Sequence, residues 1–351
     1  MTVLAYVLIG GALLFIGAIA YRRMGRGRAA ADIPSASLVG AIEPPIEVPQ
    51  LEAVNTEMAH RLWKLAFGAP SQPPPLVRAH ARVRDLICAI LQVDTLDPSY
   101  FPRRPTLLPQ LIQAVNDPAA DSERISRMIA RDPVLTADVL RLANSSLYRA
   151  SPAPIETIQR AITVCGVDAL RGMLATAMLR PVFRASRTNF PRLPRMLWDR
   201  TERAARAAEL YAAKVRPEDR FEAQLVVLLS ALGPLVVYGA ALDGYSRAPQ
   251  LTPNPSLFVD LVDSLSLQMS QRIARDWETS PRLSAALEKS GGETLTTALR
   301  VGELLGTLSF FESQTIIARK QRLEVVKSAG IPQEIVDGIW PCISGKTLSV
   351  D

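Results

Sequence analysis

The side chains best suited to catalysis or metal binding are scarce in this 351-residue sequence. It contains two histidines, His60 and His80, and none follows them in the remaining chain. A histidine-activated nucleophile, or a metal held by imidazoles, needs histidine beside the other reacting groups. We therefore interpret His60 and His80 as solvated or partly packed surface residues.

The three cysteines, Cys88, Cys165 and Cys342, lie far apart and form no CxxC pair. Zinc sites and redox motifs need closely spaced ligands, so we predict neither, and a sparse, odd count is typical of a reducing compartment. The sequence also lacks the glycine-rich phosphate loops and the G-x-S-x-G nucleophile motif. A carboxylate-only site would suit a hard cation such as magnesium, but no acidic pair lies in the apolar segment where it would be needed. We expect no cofactor.

The net charge of +6 is concentrated near the N-terminus. Residues 1–31 carry four arginines and no acid, which leaves only +2 on the rest of the chain. A nucleic-acid surface needs clustered Lys and Arg contacts to phosphates. The folded part has no such block, so we expect no nucleic-acid binding.

An uncharged apolar run at residues 3–21 is long enough to cross the roughly 30 Å hydrocarbon core as a helix. The alternative is a cleaved signal peptide, since Ala18-Ile19-Ala20 resembles a cleavage site, but a signal peptide carries its positive charge before the apolar run. Here the basic residues follow it, which by the positive-inside rule keeps them cytoplasmic and the N-terminus outside. These juxtamembrane residues are Arg22, Arg23, Arg26 and Arg28.

A second apolar stretch, residues 225–242, is interrupted by Gly233-Pro234 and has no basic bias at its flanks. Proline removes a backbone donor and breaks a helix. The alternative, a second membrane span, would place the C-terminal third outside. We predict two helical pieces buried in a protein core.

The remaining pattern predicts an all-α protein. Asp132-Pro133 is a strong helix start, with Asp at the N-cap and Pro at the first helical position. Gly302 and Gly306 are spaced for close packing of two helices. The predicted divisions are an anchor and basic segment at 1–28, a Pro-rich linker at 29–50, a helical extension at 51–99, a main domain at 100–295 and a C-terminal helical extension at 296–351.

One polar cluster admits two interpretations. Asn144 and Ser145, flanked by Arg141, could present hydrogen bonds to a partner. Asn also tolerates left-handed geometry and ends helices, so the cluster could simply terminate the helix that begins at Asp132.

Several ordered segments carry a resemblance to a known family. They are Leu108-Pro109, then residues 129–136 (IARDPVLT), residues 140–145 (LRLANS), residues 158–162 ending at Gly166, and Trp198. In this order and spacing they resemble the HDOD family, the HD-related output domains of bacterial signalling proteins. The resemblance implies an HD-like multi-helix fold over roughly residues 100–295 and a place in bacterial signal transduction.

The departures from the HD pattern concern its metal ligands. Catalytic HD-type relatives hold metal ions with a His–Asp pair and further His and Asp residues, and these ions activate water. The corresponding positions here are Ser230 and Ala231 for the His–Asp pair, Arg200 for a second His, and approximately Ser266 for a later one. The resemblance thus implies a domain without catalytic metal.

Two functions follow as hypotheses. The first is a non-enzymatic signalling or scaffold protein, anchored in the bacterial inner membrane through residues 3–21, that acts by binding protein partners. The alternative is a metal-dependent phosphohydrolase or phosphodiesterase of HD ancestry that uses an unrecognised site.

Overall fold

The computed structural model describes residues 46–70, 77–97, 101–102, 104–106, 109–110, 126–127, 129–149, 153–180, 190, 192–288 and 294–345. Within these residues all regular secondary structure is helical, which confirms the all-α prediction. The predicted membrane segment, the four juxtamembrane arginines and residues 29–45 of the predicted linker lie outside them. Residues 41–351 form one compact unit, so both helical extensions belong to the same folded body as the main domain.

Thirteen α-helices are defined in this part of the chain. They are α1 Val48–Phe67, α2 Arg78–Gln92, α3 Pro133–Ala143, α4 Ile158–Cys165, α5 Val167–Leu179, α6 Arg192–Val215, α7 Arg220–Ser230, α8 Leu232–Ser246, α9 Pro255–Asp276, α10 Pro281–Ala286, α11 Thr294–Ser313, α12 Arg319–Ser328 and α13 Gln333–Ile343.

Local capping explains where two of these helices begin. The Asp132 carboxylate accepts hydrogen bonds from the Val134 and Leu135 N–H groups at 2.9 and 3.0 Å, and Pro133 opens α3, as the sequence predicts. At α1 the linker prediction extends too far, because the helix starts at Val48 with Pro49 in its first turn. Proline costs little there, since the first N–H groups of a helix have no intrahelical acceptor.

The apolar segment forms two helices, as predicted, but the break differs in position. It falls at Ala231, and Pro234 lies in the first turn of α8. Pro217–Ser246 is the helical stretch in the described residues that is long and apolar enough to cross a membrane, and 78% of its apolar window is buried inside the protein. That burial is typical of a core helix and agrees with the core assignment.

Helices α6 and α11 form the centre of the core. A Cβ at Gly306 would lie 2.5 Å from Ala204 Cα, and one at Gly302 would lie 2.6 Å from the Ala204 carbonyl oxygen. The two backbones therefore approach too closely for any side chain at these glycines, which confirms the predicted close packing. Helix α1 packs against α11 and α9, and this arrangement brings a helix from outside the main domain to the functional region described next.

Candidate functional site

The residues that the sequence comparison aligned with the HD metal ligands meet in one cleft of about 190 Å³. Arg200 comes from α6, Ser230 and Ala231 from the junction of α7 and α8, and Ser266 from α9. The structure thus brings together all four positions that the sequence pattern aligned. The cleft is also lined by charged residues from α1 and α11, which motif comparison did not identify.

Arg200 is tied to α11 by its guanidinium group. Its Nε donates to Thr307 Oγ1 at 3.1 Å, and its Nη2 lies 3.7 Å from Glu303 Oε1. The side chain is 9% exposed. A buried, always-charged guanidinium therefore stands where the HD pattern has a metal-binding imidazole.

Ser230 adds a second contact to the same carboxylate. Its Oγ lies 3.1 Å from Glu303 Oε1 and 2.9 Å from the Val227 carbonyl oxygen. A hydroxyl has one proton, so Ser230 donates to one of these acceptors at a time or shares the proton between them. Its backbone carbonyl accepts from Ser270 Oγ at 2.9 Å, which joins α7 to α9.

Arg300 completes the network from α11. Its Nη1 donates to Glu303 Oε2 at 3.0 Å, and its Nε lies 2.5 Å from Glu52 Oε2 of α1. The Arg300 backbone carbonyl accepts from Asn55 Nδ2 at 2.8 Å, so two polar contacts hold α1 to α11 beside the cleft. The side chains of this network are therefore shared by α1, α6, α7 and α11.

The electrostatics of the network are balanced. Arg200 and Arg300 supply two positive charges, and Glu52 and Glu303 supply two negative ones. Burial would raise the pKa of Glu303, but attraction to Arg300 and Arg200 outweighs burial and holds the pKa below its usual value. Glu303 is therefore ionised at neutral pH.

This donor set does not fit a catalytic divalent ion. Ser230 and Ala231 offer no imidazole or carboxylate. The three carboxylates that line the cleft are already engaged, Glu303 and Glu52 by guanidinium groups and Asp263 by His60. Divalent metals in hydrolases need several carboxylate, imidazole or water ligands. No cluster of three His, Cys, Asp or Glu side chains with metal-site geometry occurs among the described residues.

Asp263 of α9 lines the same cleft and was also missed by sequence reasoning. It contacts His60 Nδ1 of α1. Burial raises the pKa of Asp263, and the contact with His60 opposes that effect.

His60 is 41% exposed, whereas His80 Nδ1 lies 2.9 Å from the Tyr245 hydroxyl, so both histidines fit the predicted surface or partly packed roles. All three cysteines are free thiols.

The side chains of Asn144, Ser145 and Arg141 bond to neighbouring residues of the same domain. Asn144 Nδ2 donates to the Ile155 carbonyl at 2.7 Å, and its Oδ1 accepts from the Ile155 N–H at 2.8 Å. Ser145 Oγ donates to the Leu142 carbonyl, and Arg141 pairs with Asp138 at 3.1 Å. Asn144 ends α3, as the second interpretation of the cluster predicts. Its backbone is right-handed, and the side-chain bonds to Ile155, not a left-handed conformation, account for asparagine here.

Comparison with known proteins agrees with the fold and the family resemblance. The HDOD domain family matches residues 101–290, more than half of the chain, and the chain therefore belongs to this family. No curated protein matches the chain significantly.

Solved structures similar to this chain share its fold at low sequence identity. A provisionally assigned metal-dependent phosphohydrolase from Shewanella amazonensis SB2B is 17% identical, with a TM-score of 0.54 over 75% of this chain and 97% of its own. An HDOD domain protein of unknown function from Geobacter sulfurreducens is also 17% identical, with a TM-score of 0.49 over 75% of this chain and 98% of its own. The first of these supports the fold alone.

Proposed function

We propose that this protein is a non-enzymatic signalling or scaffold protein that acts through its HDOD domain by binding protein partners. The observation that carries the proposal is the guanidinium–carboxylate network at the former metal site. Arg200, Arg300, Glu303 and Glu52 neutralise one another there. Among the described residues that line the cleft there is no histidine to act as a general base for a water molecule.

We further propose that residues 3–21 anchor the protein in the bacterial inner membrane, with the HDOD domain in the cytoplasm. Support comes from the uncharged apolar run and the four arginines that follow it. Confinement to the membrane raises the effective concentration of the domain toward membrane partners without any catalysis. A reporter fused after Arg28 tests the orientation: activity of a cytoplasmic reporter is expected, and activity of a periplasmic one contradicts the proposal.

The loss of catalysis is tested on the purified full-length protein in detergent. Mn²⁺, Mg²⁺, Fe²⁺ and Ni²⁺ are added in turn, and hydrolysis of bis(4-nitrophenyl) phosphate and of cyclic dinucleotides is followed. No turnover above the protein-free blank is expected. Metal-dependent turnover would establish the alternative, a phosphohydrolase.

A matched variant separates such turnover from contamination. Arg200→Met removes the guanidinium from the cleft but leaves a side chain of similar length. Activity that this variant changes belongs to the cleft of this protein, whereas trace activity identical in both preparations arises elsewhere.

A further inference from the structure

Helix α12 presents an exposed basic face with an apolar side chain at its middle. Its ten residues include four basic side chains and one acid. Lys320, Leu323 and Lys327 are exposed, and their i, i+3, i+7 spacing places them on one side of the helix. Neither lysine makes a hydrogen bond or an ion pair with another described residue. This face therefore has the composition of a surface for a negatively charged partner with some apolar character.

The other basic residues of α12 help to separate internal from external roles. Arg322 is buried, its guanidinium stacks on the Trp340 ring at 3.9 Å, and its Nε lies 3.4 Å from Glu312 Oε2. Arg319 and Lys320 instead occupy the first turn, where the helix dipole disfavours positive charge, and no acid in that turn offsets them. Contacts within the fold thus explain Arg322 but not the cations of the first turn.

The position of α12 relates its basic face to the start of the described chain. Gln50, in the first turn of α1, donates from its Nε2 to the carbonyl oxygen of Ser328, the last residue of α12, at 2.6 Å. The described chain therefore begins beside α12. Residues 22–45, which separate the proposed anchor from this point, could span at most about 80 Å. That length allows α12 to reach the bilayer that holds the anchor.

We infer that the face of α12 formed by Lys320, Leu323 and Lys327 docks on the anionic lipid surface of the membrane. The inference rests on the proposed anchor, which keeps the domain beside that surface. Each lysine close to anionic headgroups raises the ratio of docked to undocked protein by about fivefold, and Leu323 adds apolar contact at the interface. Docking would fix the orientation of the HDOD domain toward its membrane partners.

The test compares amide hydrogen exchange of the full-length protein in two kinds of nanodisc. One contains phosphatidylcholine alone, and the other contains equal parts of phosphatidylcholine and phosphatidylglycerol. Exchange in a surface helix proceeds through local opening, which a docked membrane opposes. The amides of residues 319–328 should exchange several-fold more slowly in the anionic discs, whereas those of α2 should exchange equally in both.

Two matched variants make the result specific to α12. Lys320→Gln/Lys327→Gln should lower the ratio of docked to undocked protein by about 25-fold, which removes the difference between the discs. Both side chains are exposed, so exchange of this variant in phosphatidylcholine discs should equal that of wild type. Arg78→Gln/Arg82→Gln removes two exposed charges from α2, which packs on α8 and α9, and should leave the protection of α12 unchanged.

Several results would overturn the inference. They are equal exchange of wild-type α12 in both discs, protection that survives Lys320→Gln/Lys327→Gln, and protection that is lost in Arg78→Gln/Arg82→Gln. If the lysine variant exchanges faster than wild type even in phosphatidylcholine discs, the salt dependence of wild type decides. Protection should disappear at about 0.5 M NaCl, where charges are strongly screened, and its persistence there would contradict docking by the lysines.

Failure of this test is distinguishable from failure of the proposed anchor. Protein that co-purifies with the discs but shows no protection of α12 overturns the docking inference alone. Protein that co-purifies with neither kind of disc overturns the anchor, and the docking inference with it.

Discussion

Replacing Glu303 by glutamine perturbs the arginine–carboxylate network of the cleft most directly. The variant keeps the size of the side chain but removes the charge that both arginines face. Arg300 retains Glu52 at 2.5 Å, whereas Arg200 retains only its bond to Thr307 and a long contact to a backbone carbonyl. Arg200 thereby becomes a buried cation without a counter-ion.

The burial of these charged side chains determines how large the loss of stability should be. Arg200 and Arg300 side chains are 9% and 7% exposed, and Glu303 is 15% exposed, so solvent screens these charges weakly. Removing one partner of a buried ion pair costs about 3–5 kcal/mol. For a unit of about 300 residues this corresponds to a fall in melting temperature of about 5–8 °C.

The effect should depend on pH with a defined sign. The folded-state pKa of Glu303 lies below its unfolded value, so its charge stabilises the fold fully above the usual glutamate pKa. That contribution is lost as pH falls through the folded pKa. The difference between wild type and Glu303→Gln should therefore be constant near neutrality and shrink at pH values below about 4.5.

The assay is thermal unfolding of full-length protein in detergent, followed by circular dichroism between pH 3.5 and 8. The double variant Arg200→Met/Glu303→Gln is the matched control, because it also removes the cation left unpaired. It should recover part of the lost stability. A melting temperature within about 1 °C of wild type for Glu303→Gln would refute the account of a buried, charge-balanced network.

Further outcomes follow from other parts of the fold, each checked by the same unfolding assay. Gly306→Ala should destabilise the fold by about 1–3 kcal/mol or more, because its Cβ would lie 2.5 Å from the Ala204 backbone. Gly338→Ala is the control. Its Cβ would meet only the flexible end of the Lys214 side chain, so the loss of stability should be much smaller. Asp132→Ala removes the two capping hydrogen bonds to α3 and should lower the free energy of unfolding by about 1 kcal/mol. Burial raises the pKa of Glu202 to about 8, so its ionisation opposes folding as pH rises from the usual glutamate range toward 8. Glu202→Gln should therefore raise the melting temperature at pH 8 relative to wild type, with no gain at pH 4; an equal gain at both would contradict this.

Local signals in the sequence are sufficient to predict the helices and to align four positions that the structure brings together in one cleft. The Asp132-Pro133 start and the close approach at Gly306 depend on a few neighbouring residues or one spacing, and both occur as predicted. The break near Pro234 was placed too late, because a proline in the first turn is compatible with a helix. Asn144 ends its helix, as one of the two interpretations predicts, through side-chain bonds to Ile155 that the sequence pattern does not encode.

The composition of the cleft could not be predicted in the same way. Arg300 and Glu303 belong to none of the motifs that the sequence analysis identifies. Their pairing with Arg200 and Glu52 joins residues far apart in sequence, and no local pattern encodes such contacts. The contribution of α1 was missed for the same reason, since it lies outside the segment that carries the family motifs.

The central claim, that arginine–carboxylate pairs have replaced the metal, is tested most directly by anomalous X-ray diffraction. Crystals of the protein would be soaked in MnCl₂ and measured at the manganese edge. We expect no anomalous peak within coordinating distance of Glu303, Ser230 or Glu52. A peak there with carboxylate ligands, and with Arg200 displaced from Thr307 and Glu303, would contradict the claim.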